Sequence, residues 1–210
     1  MDADFQWLRK PNDDLPPDAR FYIDGSAMDP TVKHLTQVGY SIVIVGADGD
    51  LLGVGLGTPP HWIHNSGGAE TWAFYIVLSI TIQMPIVVTD YLGILNGLAD
   101  GRAKATSPNR LLARVWNMIY NCFDSDHIPD VVRDRVFWMP SHGAGHTIGE
   151  AVKSDGSVVT PTDWRANRLA DAAAKAAASA GRSPAVTRIK LQRTLAAYEH
   201  ALVELAVVTT

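Results

Sequence analysis

From His34 to Gly101 the chain carries no lysine or arginine, and between Leu51 and Thr89 its only formally charged side chain is Glu70. A tract so poor in charge has to form the interior of a folded domain. Residues 71–89 are long and apolar enough to test against a membrane span. Gln83 and Pro85 interrupt them, however, and Glu70 and Asp90 flank them where lysine or arginine would be expected. The tract therefore reads as a buried helix followed by a buried strand, with no membrane partner. Glu70 stands at the start of that helix. Burying an unpaired carboxylate costs several kcal/mol, so it must take a proton or find a cation, and no basic residue lies near it in sequence.

The 210 residues fit one domain with an extension. With 47% hydrophobic and 19% charged residues the chain is globular rather than disordered or fibrous. A net charge of −4 excludes a strongly basic tail but leaves room for a local basic patch. Cys122 is the single cysteine, which excludes a disulfide framework and a four-cysteine zinc site and suits a reducing compartment. The first residues are acidic and lack an apolar run, so the protein is expected inside the cell (cytoplasm or nucleus) and not secreted.

Residues 1–18, rich in Pro and Asp, read as a flexible leader. Strands are predicted at Arg20–Asp24, Val38–Val45 and Leu51–Leu56, the last two joined by an Asp48-Gly49 hairpin turn. A helix follows at Ala69–Ile82, then a strand at Met84–Thr89, helices at Tyr91–Leu98 and Asn109–Phe123, and a fifth strand at Val131–Met139. Residues 140–162 read as a long loop. A helix capped by Thr162 or Asp163 runs to Gly181, and Ser183-Pro184 opens a last helix to about Val207. The expected fold is α/β, a mixed five-stranded sheet with an antiparallel meander and parallel strands, flanked by helices. The domain is expected over residues 19–181 and a helical extension over 182–210.

Four acids stand apart. Asp24 and Asp90 end predicted strands, Glu70 starts the apolar helix, and Asp171 lies four residues after Asn167 on one helix face. Each has a local explanation: Asp24 a turn, Asp90 a helix cap, Glu70 a first-turn acid, Asp171 a pair with Arg168 or Lys175. Taken together on neighbouring strands, they can converge into an all-oxygen site suited to Mg²⁺ or Mn²⁺ rather than zinc.

Five segments, in order, carry a resemblance: Phe21-Tyr22-Ile23-Asp24-Gly25-Ser26, Ala69-Glu70-Thr71-Trp72-Ala73, Val88-Thr89-Asp90, Trp138-Met139-Pro140-Ser141-His142 and Asn167-Arg168-Leu169-Ala170-Asp171. Over about Arg20 to Ala180 the chain resembles the type 1 ribonuclease H domain, found as a free enzyme and within retroelement reverse transcriptases. The resemblance implies a ribonuclease H-like fold and hydrolysis of the RNA strand of RNA–DNA hybrids with two Mg²⁺ ions, Mn²⁺ being the alternative. The products would be a 5′-phosphate and a 3′-hydroxyl. It assigns metal binding and catalysis to Asp24, Glu70, Asp90 and Asp171, and proton shuttling or product release to His142. Asn167 would contact the RNA strand, and Gly25, Ser26 and Asn65 join it as candidate substrate-binding residues. Apart from the resemblance, Trp164, at a helix start near the site, is the tryptophan placed to stack on a base.

The chain departs from the family pattern in places. Twenty-four residues, with Glu150, Lys153 and Asp155 among them, separate His142 from Asn167 where the family has a handful. Tyr91 follows Asp90 in place of a small polar residue. Arg102, Lys104, Arg110 and Arg114 are a sparse substitute for a basic protrusion. His61-x-x-His64 and His142-x-x-x-His146 have zinc-compatible spacing but no accompanying cysteine. Leu191, Leu195, Tyr198, Leu202 and Leu205 form a short heptad-like stripe, through which the last helix docks on its own domain, a neighbouring domain or a partner. Two other functions compete: a nuclease of the same fold acting on DNA, of transposase, integrase or resolvase type, and a non-catalytic tethering module of a retroelement protein.

Overall fold

The computed structural model describes residues 4–29, 35–123, 132, 134–140 and 148–208. Strands β1 (Asp4–Arg9), β2 (Arg20–Met28), β3 (Gln37–Val45), β4 (Leu51–Thr58), β5 (Ile86–Thr89) and β6 (Val136–Trp138) form one sheet in the order β1-β4-β3-β2-β5-β6. The first four pair antiparallel, while β5 runs parallel to β2 and β6 parallel to β5. The helices are α1 (Ser66–Ile80), α2 (Leu92–Asp100), α3 (Arg102–Ala105), α4 (Ala113–Asn121), α5 (Pro161–Ala180) and α6 (Ala185–Val208). The mixed α/β sheet expected from the sequence is present, with six strands instead of five.

The sixth strand is β1, which lies inside the segment expected to be a leader. The Pro-Asp pairs that follow it mask a short alternation: Phe5 and Trp7 share one face, and Phe5 stacks on Tyr40 with ring centroids 6.2 Å apart. Gly55 of β4 leaves room for the Phe5 ring, which a Cβ there would approach to 2.7 Å. Strand β2 also runs further than expected, through Gly25-Ser26-Ala27-Met28, because β3 continues opposite it from Tyr40 back to Gln37. At the other edge, β6 is shorter than the predicted Val131–Met139, since Asp134 and Arg135 form a turn.

Period-2 alternation divides the interior into two layers. Phe21 and Ile23 of β2, with Tyr40, Ile42 and Ile44 of β3, face Ala69, Trp72, Ala73, Phe74 and Val77 of α1. Tyr22, Val43, Val45 and Val88 face Ala166 and Ala170 of α5 on the opposite side. Helix α1 is apolar all round because sheet and helices enclose it. Asn65 caps it, its side chain accepting from the Gly68 N–H at 2.7 Å, so the helix begins before the predicted Ala69. Helix α5 begins earlier too. Its cap is Thr160 with Pro161 at the first position, and Asp163 completes a capping box.

The alanine run of α5 has a packing reason. Ala170, Ala173, Ala174, Ala177 and Ala178 are buried at helical spacing, and the helix lies so close to β3 that a Cβ on Gly39 would stand 2.3 Å from the Ala178 nitrogen. The Ser41 hydroxyl donates to the Ala170 carbonyl at 2.7 Å across the same contact. Helix α6 follows. Arg182 makes a two-nitrogen ion pair with Asp29 (2.7 and 2.8 Å), and Val186, Ile189, Tyr198, Leu202 and Val203 are exposed. Residues 71–89 divide into α1 and β5, and among the described residues no helix is long and apolar enough to cross a membrane.

Replacing Gly39 by alanine should force α5 off the sheet and lower stability by about 1–3 kcal/mol. Urea denaturation measures this, and a midpoint equal to that of the unaltered protein would contradict the close contact.

Candidate active site

Three elements bring three acids together. Asp24 lies in the middle of β2, Glu70 one turn inside α1, and Asp90 immediately after β5. The parallel register pairs Tyr22 with Val88, so Asp24 and Asp90 each lie two residues further along neighbouring strands. Gly25 lets α1 descend onto them, since a Cβ there would come within 2.2 Å of the Ser66 carbonyl oxygen and 2.5 Å of the Glu70 nitrogen. One oxygen from each of Asp24, Glu70 and Asp90 lies within 4.8 Å of the others, the only such convergence of His, Cys, Asp or Glu side chains among the described residues.

None of the three fills its local explanation. Asp24 is within a strand and not at a turn. Glu70 lies beyond the first turn of α1, and α2 has no side-chain cap. The Glu70 carboxylate, 3% exposed, instead accepts from the Thr89 hydroxyl and from the Tyr91 N–H at 3.2 Å. Those bonds orient it towards β5. Because Tyr91 donates from its backbone, its side chain is free to differ from a small polar residue. Its ring packs against Gly67 and Gly93, where added Cβ atoms would stand 2.6 and 2.2 Å from it.

Burial, then repulsion by Asp90 and Asp171, pushes the Asp24 carboxyl up to about 8, against smaller opposing effects of the Gly25 N–H and Lys175. Burial and the Asp90 charge likewise raise Glu70 well above the usual carboxylate range. At neutral pH these groups hold protons unless a cation replaces them. Three hard oxygen donors at this spacing fit Mg²⁺ or Mn²⁺.

The fourth expected ligand, Asp171, borders the same cleft of about 440 Å³ but is not in the convergent trio. It is ion-paired with Lys175 one turn later, at 2.8 Å. Lys175 is the one basic residue among those lining the cleft, and it sits beside Asp171 and not between the buried acids. Gly25, Ser26 and Asn65 line the cleft too. Gly25 acts there by its lack of a side chain, and the Asn65 side-chain oxygen is used in capping α1.

Asn167 approaches Asp90 with its amide nitrogen 3.5 Å from Oδ2, and its own side-chain oxygen is buried with no protein partner. Such an orphan acceptor is costly unless a ligand or water meets it. Trp164 lies in a small adjoining recess with Met139, Pro140 and Asn167, and the Arg168 guanidinium covers its ring at 5.1 Å. His142 and His146 lie outside the described residues. Among the described residues His61 and His64 take part in no convergent group of potential ligands. Thr89 is a site residue that the sequence reading overlooked. Its only signal was a hydroxyl at the end of a buried strand beside Asp90.

The raised Asp24 pKa gives a signed expectation. Without divalent ions the folded protein keeps a proton that the unfolded carboxylate, of ordinary pKa 3.8, gives up. Its contribution to stability is therefore complete below about pH 4 and lost as pH rises towards 8. Asp24→Asn should raise the metal-free melting temperature at pH 8 by several degrees, and Mg²⁺ should raise that of the unaltered protein more at pH 8 than at pH 5. Thermal melts at both pH values check this, and an unchanged or lower melting temperature for Asp24→Asn at pH 8 would contradict it.

No protein-family model matches the chain, and no curated protein matches it. Among solved structures the chain is similar to the protease–reverse transcriptase of prototype foamy virus, with 19% identity and a TM-score of 0.49, over 82% of this chain and 22% of that one. It is similar to the PFV RNase H domain, with 16% identity and a TM-score of 0.48, over 78% of this chain and 95% of that one. It is also similar to LC9-RNase H1, a type 1 RNase H with the type 2 active-site motif, at 18% identity and a TM-score of 0.47, over 78% and 75% of the two chains. The chain thus spans about a fifth of the length of the protease–reverse transcriptase.

Proposed function

We propose that the domain is a ribonuclease H, an endonuclease that hydrolyses the RNA strand of RNA–DNA hybrids and leaves a 5′-phosphate and a 3′-hydroxyl. The observation that carries the chemistry is the convergence of Asp24, Glu70 and Asp90 from three distant segments, where burial, and then mutual repulsion, raises the Asp24 and Glu70 carboxyls above the usual range. The five ordered sequence segments carry the substrate class and point to a retroelement reverse transcriptase setting.

In this reading Asp24, Glu70 and Asp90, with Asp171 at the edge of the same cleft, would hold two Mg²⁺ ions. When bound, the ions supply Lewis acidity towards the attacking water and the leaving oxygen. Little covalent chemistry falls to the protein, because positioning and charge stabilisation dominate phosphoryl transfer. The Thr89 hydroxyl and Tyr91 N–H keep Glu70 in place. Asn167, beside Asp90 and lining the adjoining recess, contacts the RNA strand, whose 2′-hydroxyls distinguish it from DNA. Trp164 and Ser26 border the strand, and His142 moves a proton or helps release product. The exposed face of α6 is free for a neighbouring domain.

Labelled RNA–DNA hybrid and DNA duplex test this directly. The hybrid should be cut in Mg²⁺ and left intact in excess EDTA. Asp24→Asn and Asp90→Asn should each reduce cleavage by at least about a hundredfold with the fold retained by circular dichroism. Equal cleavage of DNA duplex would reassign the domain to a DNA nuclease of the same fold. A folded protein that binds no Mg²⁺ by calorimetry would point to a tethering module.

A further inference from the structure

The segment inserted before Asn167 builds a small hairpin. Val152 bridges Val158, the Lys153 N–H donates to Ser157 O at 2.8 Å, and the Val159 N–H donates to Ala151 O at 2.7 Å. Ser154 fastens it to β6: its N–H donates to Trp138 O at 2.9 Å, and its hydroxyl oxygen accepts from the Trp138 N–H at 2.8 Å. Lys153 turns inward from this hairpin. Its side chain is 3% exposed, and its ammonium donates to Asp163 Oδ2 at 3.1 Å.

Asp163 is fully buried and gathers further donors. The Tyr22 hydroxyl reaches Oδ1 at 2.7 Å and the Arg20 guanidinium the same oxygen at 3.3 Å. The Thr160 N–H and hydroxyl reach Oδ2 at 2.9 and 2.7 Å. Burial alone would raise the Asp163 pKa, but hydrogen bonds from Tyr22, Thr160 and Lys153 outweigh it and bring it down to about 2. The carboxylate is thus a fixed, ionised hub.

Its neighbours in sequence give the hub its meaning. Asp163, Asn167 and Asp171 recur every four residues on one face of α5. Tyr22 and Asp24 share one face of β2. The Tyr22–Asp163 contact is therefore one rung of a ladder whose next rungs are the facing groups of the acidic site. A buried ion pair adds little stability over an apolar contact of the same size, yet its directional bonds fix geometry.

We propose that Lys153 is a positioning residue which, through Asp163 and Tyr22, locks the first turn of α5 to β2 and sets where Asn167 and Asp171 stand against Asp24 and Asp90. The proposal rests on the nuclease reading and assigns the inserted hairpin a part in the active site.

Lys153→Met and Lys153→Arg, with Tyr22→Phe, are the variants to compare. Lys153→Met should lower kcat on the hybrid by about tenfold or more with a smaller rise in KM, and should weaken Mg²⁺ binding in calorimetry. Lys153→Arg should recover most of both. Tyr22→Phe, which removes one hydroxyl without opening the core, should lower kcat to a smaller extent, and it decides the matter by the same two measurements if Lys153→Met does not fold. Folded variants with unchanged kcat and unchanged Mg²⁺ affinity would overturn the positioning role alone. An unaltered protein that neither cuts the hybrid nor binds Mg²⁺ would overturn the nuclease reading and this proposal with it.

Discussion

Asp24, Glu70 and Asp90 are buried together with their oxygens within 4.8 Å of one another, which disfavours three ionised carboxylates, and much of the architecture serves to hold them there. The parallel pairing of β2 with β5 places two of the acids on adjacent strands. The missing side chain at Gly25 brings α1 down so that Glu70 meets them. Thr89 and Tyr91 then bind Glu70 in that position. Burial and mutual repulsion make this arrangement unfavourable as charges, so the acids either keep protons or could take a cation in their place.

The same layer of the sheet treats another acid in the opposite way. Asp163 is as deeply buried as Asp24, but it is surrounded by Lys153, Tyr22, Thr160 and Arg20, so it stays ionised where Asp24 is pushed towards its protonated form. Both acids lie at the junction of β2 and α5. One is saturated with donors and fixes the junction; the other is deprived of them and remains receptive. The alanine face of α5 keeps the helix close enough to β3 for both contacts to form.

Much of this was legible residue by residue. The absence of lysine and arginine from His34 to Gly101 showed that Glu70 would have no local partner, and the structure places it 3% exposed with, among the described residues, a hydroxyl and an N–H as its donors. The alternation in β2 and the apolar run of α1 placed the core. What escaped the reading had weak local signals. Strand β1 has only Phe5 and Trp7 to show for itself, and its partner β4 lies some fifty residues away. Asp163 reads from sequence as an ordinary helix-capping acid, because only the Thr160 contact is local to the cap, while Arg20 and Tyr22 are remote and Lys153 comes from the hairpin. Asp171 was legible in both respects: its place on the face of α5 with Asn167 and its pairing with Lys175, one of the two partners its helix offered, both follow from helical spacing.

The amino-acid order alone determined which residues are apolar, which carboxylates lack basic neighbours, and which positions share a helix or strand face, since these depend only on side-chain chemistry and on the periods 3.6 and 2. Tertiary structure alone decided that Asp24, Glu70 and Asp90 share one site while Asp171 remains at its edge, and that Lys153 enters the interior. Those outcomes turn on distances of a few ångströms between segments far apart in the chain, which strand register and close glycine contacts set and local sequence does not encode.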